Sequence, residues 1–317
     1  MKIFVTGGNG FIGTHIVSEL VNRGINVISF DLVNPVKQIE GVEYHIGTIM
    51  DEVQMGRLMK SCNAVFHLAA ILGVKRADTE LLRCLTVNIE GSFSVFRAAS
   101  MAGIKRILLT SSSEIFGDIS EQKLNEIAPY NPKSGYAVSK LAAEYGLKGF
   151  CREYEVDYNV VRYFNVYGPG QVAEFVVPRF IKMVQEGLAP TIYGEGNQVR
   201  SFCHISDAVR ATVDIFLDEF LVNTEFNIGN DLEPITIKEL ANLVCQQLGS
   251  NVQPIFKEFS ESDRLGSREI YKRVPDITKL RNAIGYEPSL TLLEGMKTII
   301  EAGMIPTSWA DPLESTN

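Results

Sequence analysis

Cysteine is sparse in this chain and shows no order. Cys62, Cys84, Cys151, Cys203 and Cys245 are odd in number and never spaced as CxxC, which argues against a disulfide framework and against a local zinc site. The four histidines, His15, His45, His67 and His204, are equally scattered, so no metal is expected. Positive charge is also short: 30 Lys and Arg face 38 Asp and Glu, and no basic run occurs. That balance lacks the footprint of a protein that binds nucleic acid or an anionic membrane. Long hydrophobic runs are missing too. The longest apolar stretch, residues 64–74, contains His67 and is too short to span a bilayer. The strand-like KIFVTGG begins at residue 2, so no leader peptide is expected ahead of it. Reduced thiols and a cytoplasmic location fit these shortages. Apolar material is plentiful, 45% of 317 residues, enough for one large domain or two unequal ones.

The first 165 residues alternate between short β-rich runs and longer helical patterns. Strands are predicted over 2–6, 26–31, 64–68, 106–111 and 157–163, and helices near 11–23, 51–60, 86–102 and 136–154. Continuous apolar strands alternating with helices predict βαβ units and a parallel sheet covered on both faces. Beyond residue 166 the texture changes. Pro169, Pro178 and Pro190 punctuate a mixed region with further helices near 236–249 and 289–302. Apolar runs near 202–207 and 225–229 read as strands that rejoin the first sheet. The expected division is therefore 1–165 and, mainly, 166–317.

Three stretches carry chemistry. TGGNGFIG, residues 6–13, places Gly7, Gly10 and Gly13 between a strand and a helix, where backbone N–H groups can approach a pyrophosphate. Asp31 ends the next strand; a carboxylate there accepts hydrogen bonds from an adenosine ribose and repels a 2′-phosphate, favouring NAD over NADP. The small residues Leu68, Ala69 and Ala70 let backbone pass close to a ligand, and Asn88 opens the segment behind them. GYAVSK, residues 135–140, sets Tyr136 and Lys140 on one face of a helix. An ammonium beside a phenol favours phenolate, so the pair could take a proton from a sugar hydroxyl while hydride leaves its carbon. Alone, this spacing is common on surface helices. SSSEIFG, residues 111–117, follows a buried strand and adds hydroxyls and a charged Glu114.

The chain resembles the extended short-chain dehydrogenase/reductase family, in its NAD-dependent epimerase/dehydratase branch acting on nucleotide sugars. The match rests on TGGNGFIG, FD at 30–31, FHLAA at 66–70, VNIEG at 87–91, TSSSEIFG at 110–117, YAVSK at 136–140, RYFNVYGPGQ at 162–171, RSFCHISD at 200–207 and REIYKRVPDITK at 268–279. The resemblance implies a Rossmann-type doubly wound parallel sheet, tightly held NAD, and a smaller mixed α/β C-terminal domain for the substrate. It implies Tyr136 as base, Lys140 as its partner on the nicotinamide ribose, and Ser112 as the hydroxyl bridging sugar and tyrosine. Phe11, Ile12 and Tyr163 join the cofactor residues on the same ground. Ser113, Asn165, Arg200 and Arg268 are implied on the substrate side. Thr48 stands where relatives carry an acid that meets adenine, and Asp51 reads as a helix cap. A homodimer is implied too, through helices 86–102 and 136–154, whose Val95, Phe96, Ala99, Leu141, Leu147 and Phe150 exceed what one sheet face should bury.

The shared first step in such relatives oxidises C4 of the sugar. The expected reaction is a nucleotide-sugar (UDP-hexose type) 4-epimerisation; the alternative is decarboxylation of a UDP-uronic acid, because Glu114 could handle a proton at C5 or position a carboxylate. Ser113 stands where 4,6-dehydratases usually place an Asp, which counts against that reaction. A catalytically idle NAD-binding protein and a net NAD-consuming reductase are further alternatives.

Overall fold

In the computed structural model of the chain, residues 1–72, 79–119, 123–261, 269–303 and 305–307 are described. Arg268 lies outside them. The N-terminal part runs β1 (Lys2–Thr6), α1 (Phe11–Asn22), β2 (Asn26–Asp31), β3 (Val42–Ile46), α2 (Glu52–Met59), β4 (Ala64–His67), α3 (Leu81–Leu85), a π-helical turn (Thr86–Glu90) and α4 (Gly91–Met101). It continues through β5 (Arg106–Ser112), a 3-10 turn (Ser113–Phe116), α5 (Gly135–Tyr154), β6 (Asp157–Tyr163) and β7 (Val166–Tyr167). There follow α6 (Val176–Gln185), β8 (Thr191–Tyr193), β9 (Val199–Arg200), β10 (Cys203–His204), α7 (Ile205–Leu217) and β11 (Thr224–Ile228). The chain then forms β12 (Ile235–Thr236), α8 (Ile237–Gln247), β13 (Ile255–Lys257), β14 (Lys272–Arg273), α9 (Thr278–Ile284) and α10 (Leu292–Ala302).

Seven strands form one parallel sheet in the order β11-β6-β5-β4-β1-β2-β3. Alternate residues of each strand feed opposite cores. Ile3, Val5, Phe66 and Leu108 pack with α1, α7 and α9 on one face. Phe4, Val65, Ile107 and Leu109 pack with α2, α4 and α5 on the other. Both faces are dry, which is why these strands read as continuous apolar runs. The order reverses between β1 and β4, and a crevice opens at their carboxyl ends, the usual ligand position in such sheets. Thr6, His67, Ser112 and Tyr163 all end strands on that edge.

The structure departs from the sequence reading in four places. First, β3 was not expected: VEYHI alternates polar and apolar residues, as an edge strand with one wet face does. Second, β11 pairs with β6 at the sheet edge, but β10 pairs with β7 in a separate two-stranded sheet and does not rejoin the large one. Third, Pro178 does not interrupt α6; it sits in the helix's first turn, where a missing N–H costs nothing. Fourth, the apolar residues credited to a dimer face are used within the chain. Val95, Phe96, Ala99, Leu147 and Phe150 are buried between α4, α5 and the sheet, and Leu141 packs beside Phe116. Leu82, Met101, Val138, Tyr145 and Tyr154 are among the exposed large hydrophobic residues of this region.

The C-terminal part is built from the sheets β12-β9-β14 and β13-β8, with α6, α8 and α10 around a third core that includes Phe180, Leu240 and Met296. No helix among the described residues is long and apolar enough to cross a membrane.

Candidate active site

The turn after β1 is shaped by missing side chains. Gly7 has φ +69°, and a Cβ there would lie 2.7 Å from the Ala69 backbone nitrogen. A Cβ on Gly13 would lie 2.0 Å from the Gly7 carbonyl oxygen, so α1 can approach the strand end this closely through glycine alone. Gly10 caps α1 without a side chain, and the helix has no acid in its first turn. Phe11, Ile12, Leu68, Ala69 and Ala70 are all half-buried at this edge. Asp31 accepts from the backbone N–H groups of Asn9 at 3.0 Å and Leu32 at 2.7 Å, tying the glycine turn to β2. Burial pushes its carboxyl above the usual aspartate value, and these backbone bonds pull the other way. A glycine cradle at a helix N-terminus with a carboxylate on the neighbouring strand fits the pyrophosphate and ribose of NAD. Gly13→Ala should weaken NAD binding at least about tenfold, about 1.4 kcal/mol. Fluorescence titration with NADH, with circular dichroism to confirm folding, checks this.

Behind the cradle runs a buried polar chain. The His67 ring bridges the Thr6 hydroxyl at 2.7 Å and the Ser92 hydroxyl at 2.9 Å, and Ser92 donates to the Asn88 carbonyl. Complete burial, with Lys140's charge nearby, lowers His67 to about 3, so the ring stays neutral. Asn88 sits in the π-helical turn, a distortion frequent at functional sites. Its amide donates to the Ile71 carbonyl and the Ser139 hydroxyl, and its oxygen accepts from Ile71 N–H at 2.7 Å. It thereby holds the chain after β4 against α5.

Ser112 ends β5 and caps the 3-10 turn, accepting from Glu114 N–H at 3.2 Å. Its hydroxyl also lies near the Tyr136 phenol and favours the ionised form. Ser134 caps α5 through Ala137 N–H and donates to Glu114 at 3.3 Å, so one serine fixes both the helix start and the glutamate. Tyr136 therefore stands beside Ser112 and Glu114. Lys140 reaches past it: its ammonium donates to the Thr110 carbonyl at 2.9 Å and lies 6.0 Å from the Tyr136 ring centre. The sequence spacing suggested a phenol pushed down by lysine. In the structure the phenol is instead pushed up, by burial and then by Glu114's charge, with Ser112 and Arg273 opposing.

Burial lowers Lys140 to about 8. A cation of lowered pKa is lost as pH rises through about 8, so turnover that needs it should fall on the alkaline side. A rate flat to about pH 10, near the ordinary lysine value, would contradict this. Stability has the opposite sign. Between about 8 and 10.4 the unfolded chain binds the extra proton, so this group's contribution to stability rises with pH across that window.

The substrate side contains a residue that spacing did not reveal. Arg273, on β14, places Nη1 3.5 Å from Glu114 Oε1 and donates from Nη2 to the Asn165 side-chain oxygen at 2.8 Å. Asn165 adopts φ +40°, a strained region for a non-glycine residue, and donates to the Ser201 carbonyl. Arg200 pairs in register with Arg273 on the neighbouring strand, and its guanidinium meets Glu269 at 3.1 Å in a buried ion pair. Other expected residues sit elsewhere. The Tyr163 hydroxyl bonds Thr212 in the core at 2.8 Å, so its side chain faces away from the crevice. Ser113 is buried in the 3-10 turn. Asp51 caps α2 through Gln54 N–H, and Thr48 accepts from Met50 N–H.

A profile of the NAD dependent epimerase/dehydratase family matches residues 3–229. The chain belongs to that family. A UDP-N-acetyl-alpha-D-glucosaminuronate decarboxylase of Bacillus cytotoxicus is 32% identical over 95% of this chain and 97% of its own length. A Thermotoga maritima UDP-glucose 4-epimerase, solved with UDP-glucose, superposes with TM-score 0.88 at 31% identity, covering 95% of this chain and 98% of that one. MoeE5, solved with UDP-glucuronic acid and NAD, superposes at 0.87 with 29% identity and the same coverages. The family member described here is thus an NAD-dependent enzyme of nucleotide-sugar chemistry with the Rossmann-type fold.

Proposed function

We propose that this enzyme removes the C6 carboxylate of a UDP-uronic acid. The observation that carries the proposal is the Glu114–Arg273 pair beside Ser112 and Tyr136. This reverses the order drawn from sequence, where Arg273 was not in view and 4-epimerisation came first. A guanidinium at the catalytic hydroxyls can hold a sugar carboxylate through two parallel N–H···O bonds, a contact that a neutral hexose does not need. The Bacillus relative, named as a decarboxylase, supports the same reading.

In this mechanism Gly7, Gly10, Gly13 and Asp31 hold NAD, with Asn88 and Lys140 behind it, and Tyr163 contributing through its backbone. Bound NAD supplies reversible hydride acceptance at C4. Tyr136 takes the C4 hydroxyl proton, with Ser112 aligning that hydroxyl. Arg273 orients the C6 carboxylate. The C5–C6 bond then breaks, CO2 departs, and its electron pair is held by the C4 carbonyl until C5 is protonated. Glu114 is placed to handle that proton. Asn165 and Arg200 face the nucleotide diphosphate, and Ser113 lines the turn beneath the sugar. Residues 1–165 serve NAD and 166–317 mainly the substrate.

The 4-epimerase remains a second reading, favoured by the Thermotoga structure's likeness and by the fact that Glu114 and Arg273 neutralise each other here. Incubation with UDP-glucuronic acid, UDP-glucose and GDP-mannose, followed by mass spectrometry, separates the readings. Loss of CO2 from the uronic acid supports decarboxylation. An intact uronic acid, with UDP-glucose unchanged in mass but giving a new anomeric NMR signal, overturns it. A cytoplasmic homodimer belongs to the same proposal, and light scattering should then give twice the 35.2 kDa chain mass.

A further inference from the structure

Tyr136, Lys140 and Glu144 follow one another at four-residue spacing on α5, so they form one stripe. Glu144 is 1% exposed, and its partner Arg162 on β6 is wholly buried. Both carboxylate oxygens accept from the guanidinium, from Nε at 3.1 Å and Nη2 at 2.7 Å. The same guanidinium donates to the Glu126 carbonyl at 2.9 Å and the Tyr130 hydroxyl at 2.7 Å. It also lies over the rings of Phe116 and Tyr130, 5.4 and 5.3 Å from their centres. Phe116 ends the turn that carries Glu114 and packs on Phe164, next to Asn165. One buried group thus touches the catalytic helix, the Ser113–Phe116 turn and the segment around Glu126 and Tyr130.

A buried ion pair is weak as a stabilising device, because desolvation offsets most of its attraction and an apolar pair of similar volume often serves as well. Stability alone therefore does not account for it. We propose that Arg162 and Glu144 are positioning residues for the reaction: they set α5, and with it Tyr136 and Lys140, against the Glu114 turn. The inference rests on the roles proposed above for Tyr136 and Lys140. The groups facing the Lys140 ammonium are Cys84 from α3, His67 from β4, the Thr110 carbonyl from β5, and Tyr136 and Glu144 on its own helix. His67 stays neutral, and burial pushes the Cys84 thiol up, which keeps it neutral too. Glu144 is left as the charged group on that side, and it is paired with Arg162.

Two variants test this, Glu144→Gln and the apolar pair Glu144→Leu/Arg162→Met. Each is followed by thermal melting, by 13C-lysine NMR titration of the NAD-free protein, and by the pH profile of whichever turnover the product assay reveals. The expected result is a Lys140 signal titrating lower in Glu144→Gln, where Arg162 is left unpaired, than in the apolar pair, where both charges go together; in both variants kcat falls at least about tenfold at pH 8 with KM within about twofold. Folded variants with unchanged Lys140 titration and kcat overturn the proposal. So does failure of the apolar pair to fold, since the ion pair would then serve folding itself. Because the NMR readout needs no substrate, failure of the decarboxylase reading leaves it intact.

Discussion

Replacing Tyr136 by Phe is expected to lower turnover by about 10²–10⁴ while leaving the melting temperature and NAD affinity nearly unchanged. The substitution removes one oxygen, which lies near Ser112, and leaves the ring that lies near Lys140. The proton of the sugar hydroxyl then has no phenol to accept it. Ser112 cannot substitute, because its own hydroxyl is far too weak a base without a partner. Lys140 is committed to the Thr110 carbonyl and gives up its proton only above about pH 8. Product formation under single-turnover conditions is the measurement. Activity within about tenfold of the parent would remove Tyr136 from the mechanism and, with it, the roles of Ser112 and Lys140.

The second large effect concerns Arg273. Arg273→Gln should lower decarboxylation by about 10²–10³, the loss typical when one preorganised charged donor is taken from a reacting group. It should do so with little effect on UDP binding. The side chain joins Glu114 on one element to Asn165 on another, so its loss leaves the glutamate side chain held by Ser134 without its ion-pair partner. Arg273→Lys is the informative companion. A lysine keeps the charge but cannot present two N–H groups in a fixed fork, so it should recover only part of the rate. Parallel assays of CO2 release and UDP affinity check both variants. If UDP-glucuronic acid is processed normally by Arg273→Gln, the guanidinium does not hold the carboxylate.

The sheet and the cofactor turn were legible because local rules dictate them. Strands buried on both faces must be apolar throughout, and α1 can close on β1 only through glycines, so TGGNGFIG announces itself. The YxxxK spacing likewise survives folding, since four residues on a helix stay on one face. What was not legible depended on partners far away in the chain. The apolar stripe of α4 and α5 looked like a dimer face, but distance along the sequence conceals how completely a sheet and two helices cover it. Tyr163 looked like a cofactor residue, yet its hydroxyl is taken by Thr212, 49 residues on. Arg273, which sequence reasoning did not single out, lies five residues after Arg268 and is the arginine among the described residues that meets Glu114. Nothing in composition or periodicity separates those two arginines.

By itself, then, the sequence determined the layered fold, the dinucleotide turn and the cluster of serine, tyrosine and lysine, all set by backbone sterics and short-range periodicity. Only the tertiary structure decided what surrounds Glu114. Its companions Ser134 and Arg273 come from a helix cap and a two-residue strand, brought together by chain packing. Electrostatic partnership acts through space over a few ångströms, and sequence spacing carries no measure of that distance.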